Sequence, residues 1–86
     1  MKEFERTLKA LANRRRLAIM KYLKTHKEAP VFEIAGEIHL SFKSTSKHLA
    51  FLLAADVVER DQRSLQMFYR LADRQKPIAK RIVDLL

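Results

Sequence analysis

Ser41, Lys43, Ser44, Ser46, Lys47 and His48 crowd one short stretch, and no acidic residue occurs between positions 41 and 55. Short hydroxyl donors beside cations offer hydrogen bonds and positive charge to a polyanion. On a helix the arrangement becomes directional. Ser41 is a natural N-cap, since its hydroxyl can accept a hydrogen bond from an unpaired first-turn amide. Phe42, Thr45, Leu49, Leu52 and Asp56 then share one stripe at spacings of three and four. Lys43, Ser44, Lys47, Ala50, Phe51 and Ala54 fall on the opposite side, with Ser46 and His48 on its flanks. Such a helix presents donors and cations at its N-terminal end, as helices that read the DNA major groove do. Taken alone, a solvated amphipathic helix accounts for the pattern equally well.

Other chemistry finds little support. Glu33 and Glu37 lie one helical turn apart, but no partnered His, Ser or Cys and no glycine-rich phosphate cradle accompanies them. No catalytic residue is assigned, and an enzyme is not expected. Zero cysteines removes disulfides, thiolate metal sites and cysteine nucleophiles together, and fits a reducing cytoplasm. His26, His39 and His48 have no ligand spacing, so neither a metal nor another cofactor is expected.

Eighty-six residues make one domain, 1–86, whose lone core is marginally stabilising. The hydrophobic content of 48% excludes a disordered chain. No apolar run approaches the ~20 residues of a membrane span, and the charged first nine residues do not resemble a signal peptide. A net charge of +8 and a pI near 10.2 favour an anionic partner, double-stranded DNA first among them. The charge is uneven: residues 1–30 carry nine Lys/Arg against three acids, while 31–40 carry only Glu33 and Glu37.

In chain order, a short helix over about 2–12 places Phe4, Leu8, Leu11 and Ala12 on one face. Asn13 caps a second helix over about 14–25. Arg14, Arg15 and Arg16 crowd its first turn against the macrodipole preference. They are either solvated or paired with Glu33, Glu37 or Glu59, or one or two of them reach a flanking phosphate. Glu28, Ala29 and Pro30 read as a linker, with Pro30 opening a helix to about residue 38 whose inner residues are Val31, Ile34, Ala35 and Ile38. Residues 39–41 suffice only for a tight turn, so about 30–55 is a helix-turn-helix. Residues 57–60 and 65–71 then read as two strands of a wing, about 57–71, with Leu65, Met67, Tyr69 and Leu71 on one face. The expected tip, 61–64, offers Gln62 and Arg63 to a groove or phosphate. Asp73 caps a last helix over about 74–86 bearing Ile78, Ile82, Leu85 and Leu86. The expected fold is mainly α with a small β-hairpin, in the order α-α-α-α-β-β-α: a three-helix core, a wing and terminal helices.

That order resembles the ArsR-type (arsenic-repressor-like) winged helix-turn-helix regulators. Three stretches carry the likeness: residues 8–20; residues 40–52, where Ser46, His48 and Leu49 match a Ser-x-His-Leu signature; and residues 67–71, where Tyr69 and Leu71 match a Tyr-x-Leu. The resemblance implies a DNA-binding repressor that dimerises through its first and last helices. Family members usually have glycine where His39, Asp56 and Ser64 stand; His and Asp tolerate a left-handed backbone comparatively well, so these turns are expected to form. Many members sense metals through cysteines on the helix occupied here by residues 31–38, or through Asp/His sets on the last helix. This chain has neither.

Two function classes follow. The first is a sequence-specific, homodimeric repressor that binds an inverted repeat through Ser41, Lys43, Ser44, Ser46, Lys47, His48, Gln62 and Arg63. Its dimer interface is expected to comprise Phe4, Leu8, Leu11, Ile78, Ile82, Leu85 and Leu86, with Ile82 and Leu86 central. The alternative is a winged-helix module for protein contact or for non-specific nucleic-acid binding. Steep salt dependence with little sequence preference would favour the latter.

Overall fold

The computed structural model describes residues 1–86. Helix α1 (Lys2–Leu11) is followed by α2 (Arg14–His26), strand β1 (Glu28–Pro30), α3 (Val31–Ile38) and α4 (Phe42–Ala54). Strands β2 (Val58–Arg63) and β3 (Gln66–Leu71) then precede α5 (Pro77–Leu85).

The core forms where the helices' apolar stripes meet. Ile19, Met20 and Leu23 of α2, Ile34 of α3, and Leu49 and Leu52 of α4 are all buried, joined by Val57, Val58 and Tyr69 from the wing. Two caps set the helix starts as the residue types predict. The Asn13 side chain accepts from the amides of Arg15 and Arg16, and the Ser41 hydroxyl accepts from Ser44 N at 3.0 Å. The expected inner stripes of α3 and α4 hold at Val31, Ile34, Ala35, Thr45, Leu49 and Leu52. Phe42 departs from its stripe and is 60% exposed, since it lies one turn before Thr45 and overhangs the end of the core.

The sheet has three antiparallel strands in the order β1-β3-β2, not two. The supposed linker Glu28-Ala29-Pro30 is its third strand, with Ala29 opposite Tyr69. Pro30 closes that strand and acts as N-cap of α3 instead of occupying its first turn. A proline at an edge position sacrifices no ladder bond, so the strand tolerates it. Strand β2 also runs further than its residue types suggest, while β3 begins one residue later than expected. Gln62 pairs with Met67 and Arg63 with Gln66, which leaves Ser64 and Leu65 as a two-residue loop. Leu65, expected in the second strand on one face with Met67, Tyr69 and Leu71, is therefore at the tip and 96% exposed.

The wing's outer face explains the extra length. Arg63 crosses the sheet from one edge to the other: its guanidinium lies 4.7 Å from the Phe68 ring centroid and donates to both Glu28 carboxylate oxygens at 2.7 Å. It also donates to Asp61 at 2.9 Å, while Arg70 bridges Glu59 and Asp61. One ionic lattice thus ties β1, β3 and β2 together.

Three turns turn left-handed at the positions expected: His39 (φ 57°), Asp56 (φ 61°) and Ser64 (φ 58°). Lys27 joins them at φ 64°, ψ −50°, close to the rare γ-turn conformation, and nothing in its residue type signals it. The last helix starts later than expected. The residue before a proline is driven to extended backbone, and Lys76 at ψ 147° fixes the start at Pro77. Asp73 caps nothing; its amide donates to Glu59.

Two outcomes follow. Gly36 is exposed within α3, and a Cβ there would meet nothing within 4 Å. Gly36→Ala should therefore stabilise the chain by ~0.5–1 kcal/mol, read as a rise of several degrees in the thermal midpoint. An unchanged or lower midpoint would contradict it. The second outcome concerns acid. Hydrogen bonds from Arg63 hold the Glu28 and Asp61 carboxyls below their ordinary values. A depressed folded-state value contributes stability that is full above the unfolded value and is lost as pH falls through the folded one. Amide protection factors in β1 and the wing should drop as pH falls below 4.5, and earlier than those in α2. Simultaneous loss of protection in both regions would refute a local lattice.

Candidate nucleic-acid interface

Helix α4 carries the side chains singled out by residue type. Burial of Thr45, Leu49 and Leu52 turns Lys43 and Lys47 outward; both are exposed, and neither forms an ion pair. Ser41 is exposed, while Ser44, Ser46 and His48 are half-buried along the flanks. The six residues thus share the N-terminal half of one helix, with no carboxylate on it.

Gln62 and Arg63 stand elsewhere. They belong to β2 and not to a tip, and the Gln62 amide donates to Ser64 O at 3.3 Å. Arg63 is held by Glu28 and Asp61. A guanidinium with two carboxylates has little to offer a phosphate without breaking the wing's own bonds.

The three arginines of α2 divide. Arg14 and Arg15 are exposed and, with Lys21, His26 and Glu37, line an open groove between α2 and α3. Neither pairs with Glu33, Glu37 or Glu59: Glu33 accepts a hydrogen bond from the Tyr22 hydroxyl, pushing that phenol up to about 12, and Glu59 pairs with Arg70. Arg16 turns the other way. Its Nε donates to Ala10 O and its Nη2 to Lys9 O at 3.3 Å, satisfying carbonyls at the end of α1. Its Nη1 lies 3.3 Å from His48 Nδ1, and the guanidinium sits 4.9 Å from the Phe51 ring centroid. One side chain therefore joins α1 and α2 to the middle of α4. Residue-type reasoning treated Arg16 as one of three equivalent cations. The available signal was the two-residue link at Ala12 and Asn13, which brings the first turn of α2 beside the last turn of α1. His48 is pushed below its ordinary value, first by burial and then by the charges of Arg16 and Arg15.

Of the side chains expected on a second subunit, Leu11 is only 2% exposed and belongs to the chain's own core. Ile78, Ile82 and Leu86 are half-buried, the last two against that core. Phe4 at 51%, Leu8 at 40% and Leu85 at 86% remain largely open to solvent. No group of three histidine or carboxylate side chains lies close enough together to hold a metal ion. No helix is long and apolar enough to cross a membrane.

Comparison with known proteins agrees with this geometry. The sequence model for bacterial regulatory proteins of the arsR family matches residues 13–60. The fold is similar to that of reduced HlyU from Vibrio cholerae, with 32% identity and a TM-score of 0.84 over 99% of this chain and 85% of that one. It is also similar to a homodimeric winged helix-turn-helix DNA-binding domain from Mycobacterium bovis, a possible ArsR-family regulator, with 30% identity and a TM-score of 0.83 over 98% of this chain and 74% of that one. The transcriptional repressor PagR of Bacillus anthracis aligns at 26% identity and a TM-score of 0.81, covering 98% of this chain and 92% of its own. No curated protein sequence matches the chain. These relatives are transcriptional regulators and not enzymes. The helix-turn-helix of α3 and α4, followed by its wing, belongs to a member of the arsR family of winged-helix, DNA-binding transcriptional regulators.

Proposed function

We propose that the chain is a homodimeric repressor that reads an inverted-repeat operator through the N-terminal half of α4. The observation that carries this reading is the pair of unpaired, exposed lysines, Lys43 and Lys47, on a helix free of carboxylates. In this reading Ser41, Ser44 and Ser46 supply short donors to base edges and phosphates. The similar protein PagR is a transcriptional repressor, which supports repression here. The inverted repeat follows from two-fold symmetry. One reader helix touches only a few base pairs, and helix-turn-helix dimers double the contact by setting two readers about one DNA turn apart.

The subunit contact is assigned to α1 and α5, where Phe4, Leu8 and Leu85 expose apolar area and Ile78, Ile82 and Leu86 add half-buried edges. The similar domain from Mycobacterium bovis is homodimeric, which supports a dimer here. Its centre shifts from the expected Ile82 and Leu86 to the more open Phe4, Leu8 and Leu85. Regulation in this reading does not pass through a metal, given zero cysteines and no clustered histidine–carboxylate set.

Selecting bound sequences from a random duplex pool should return an inverted repeat. On that site, Lys43→Ala or Lys47→Ala should each weaken binding about tenfold or more, given ~1–3 kcal/mol per base contact. The fold should be intact by circular dichroism. Wild-type affinity in both variants would remove α4 from the interface.

The dimer is tested separately. Leu85→Glu places a charge on a side chain its own fold leaves open, so the monomer should survive. Apolar burial contributes ~1.5–3 kcal/mol per large side chain, enough for one charge to dissociate the pair. Sedimentation should show a folded monomer with operator binding largely lost. A wild-type chain that is monomeric at tens of micromolar yet binds the inverted repeat tightly would rule the interface out.

A further inference from the structure

Arg16 does more than join helices, because of what a guanidinium can and cannot do. It has five donors, no acceptor and a proton it never releases in proteins. A hydrogen bond between Arg16 Nη1 and His48 Nδ1, at 3.3 Å, therefore requires Nδ1 to be the acceptor. A neutral imidazole accepting at Nδ1 must carry its proton on Nε2. Arg16 Nε and Nη2 are held by the Ala10 and Lys9 carbonyls, and its face by Phe51, so the guanidinium has a fixed position from which to act.

We propose that Arg16 is a positioning residue that holds His48 in the neutral Nε2–H form, so that α4 presents one uncharged N–H donor to a phosphate oxygen of DNA beside Lys47. The proposal rests on the DNA-binding reading above and deepens it. Protonating Nδ1 would destroy the bond and set two cations 3.3 Å apart. The charges acting on His48 are all of that kind: Arg16 and Arg15, both from α2, with no carboxylate among them. The half-buried ring adds to the preference for the neutral form. Lys43 and Lys47 supply long-range attraction, while His48 supplies a donor whose direction is set before DNA arrives. A pre-set donor loses less side-chain freedom on binding than a lysine does.

The first test needs neither DNA nor a variant. A long-range proton–nitrogen spectrum of the free, nitrogen-15-labelled protein at neutral pH should show His48 with a protonated Nε2 and an unprotonated Nδ1. A predominant Nδ1–H form would overturn the proposal whatever the protein does with DNA. The second test asks whether Arg16 acts through His48. Arg16→Met should mix the tautomers and raise the His48 titration midpoint toward its ordinary 6.5. It should also weaken duplex binding roughly tenfold, as loss of a charge-assisted hydrogen bond does. In a His48→Ala background the same change should cost nothing further. Independent, additive losses would overturn the coupling. His48→Gln, whose amide nitrogen lies near the Nε2 position, should retain binding that His48→Ala loses, by the same factor on operator and random duplex. Equal loss in both variants would overturn the donor role, and this pair decides it even if Arg16→Met does not fold.

Discussion

The rotation of α4 about its own axis is the constraint on which everything else rests. Thr45, Leu49 and Leu52 are completely buried and lie on one stripe, against a core that contains Ile19, Met20, Leu23 and Ile34. Rotating the helix by one residue, about 100°, would bring Ser46 and Ala50 inward and eject a leucine. Each large apolar side chain lost from the core costs ~1.5–3 kcal/mol, so the phase is effectively single-valued. Lys43 and Lys47 face outward as a consequence of that packing and not of any preference of their own. Arg16 adds a second fix on the same helix at His48 and Phe51. The outer face of α4, proposed above to read DNA, is thus positioned by side chains on its buried side and by Arg16.

How legible this was depends on whether a signal is local. The caps at Asn13 and Ser41 and most of the inner stripes of α3 and α4 are read from residues within one or two turns, and they stand as expected except at the ends of the α4 stripe, Phe42 and Asp56. Strand β1 was not legible, because Glu, Ala and Pro are all poor strand formers and only pairing with β3 makes them one. The same holds for β2. Asp61, Gln62 and Arg63 have turn chemistry by type, but the lattice to Glu28 and Arg70 extends them into the ladder. Arg63, judged the best wing contact by type, is held by a carboxylate 35 residues away. Arg16 likewise needed its long-range partner, His48, before it differed from its neighbours. Residue type and period were sufficient for the order of the helices and for the outward lysines of α4, and insufficient wherever pairing or charge partners are remote.

The distribution of ion pairs also gives the net charge of +8 a location. Glu28, Glu59 and Asp61 are matched by Arg63 and Arg70 on the wing, and Glu3 is matched by Lys76. Hydrogen bonding to these partners lowers the Glu3, Glu28 and Asp61 carboxyls, a sign that each is held by a cation in the fold. What remains unmatched includes Lys43 and Lys47 on α4 and Arg14 and Arg15 at the start of α2. Excess positive charge therefore concentrates on the helical side, where it strengthens salt-dependent attraction to a phosphate backbone. The wing's outer face is close to internally neutral, which suits a shape-based part better than an electrostatic one.

Stability and assembly are linked through the turns. Lys27, His39, Asp56 and Ser64 all hold positive φ without being glycine, at a cost of roughly 1 kcal/mol each. Set against the ~5–15 kcal/mol that keeps a typical domain folded, that is a considerable sum. His39 and Asp56 flank α4, so part of the strain sits at the ends of the reading helix itself. The same small chain leaves Phe4, Leu8 and Leu85 exposed on its first and last helices. In the dimer proposed above, covering them would add apolar burial of the same order as the strain. Anything that binds only the folded form stabilises it by mass action, a second subunit included. The whole fold, its strained turns beside α4 included, would then gain stability with protomer concentration.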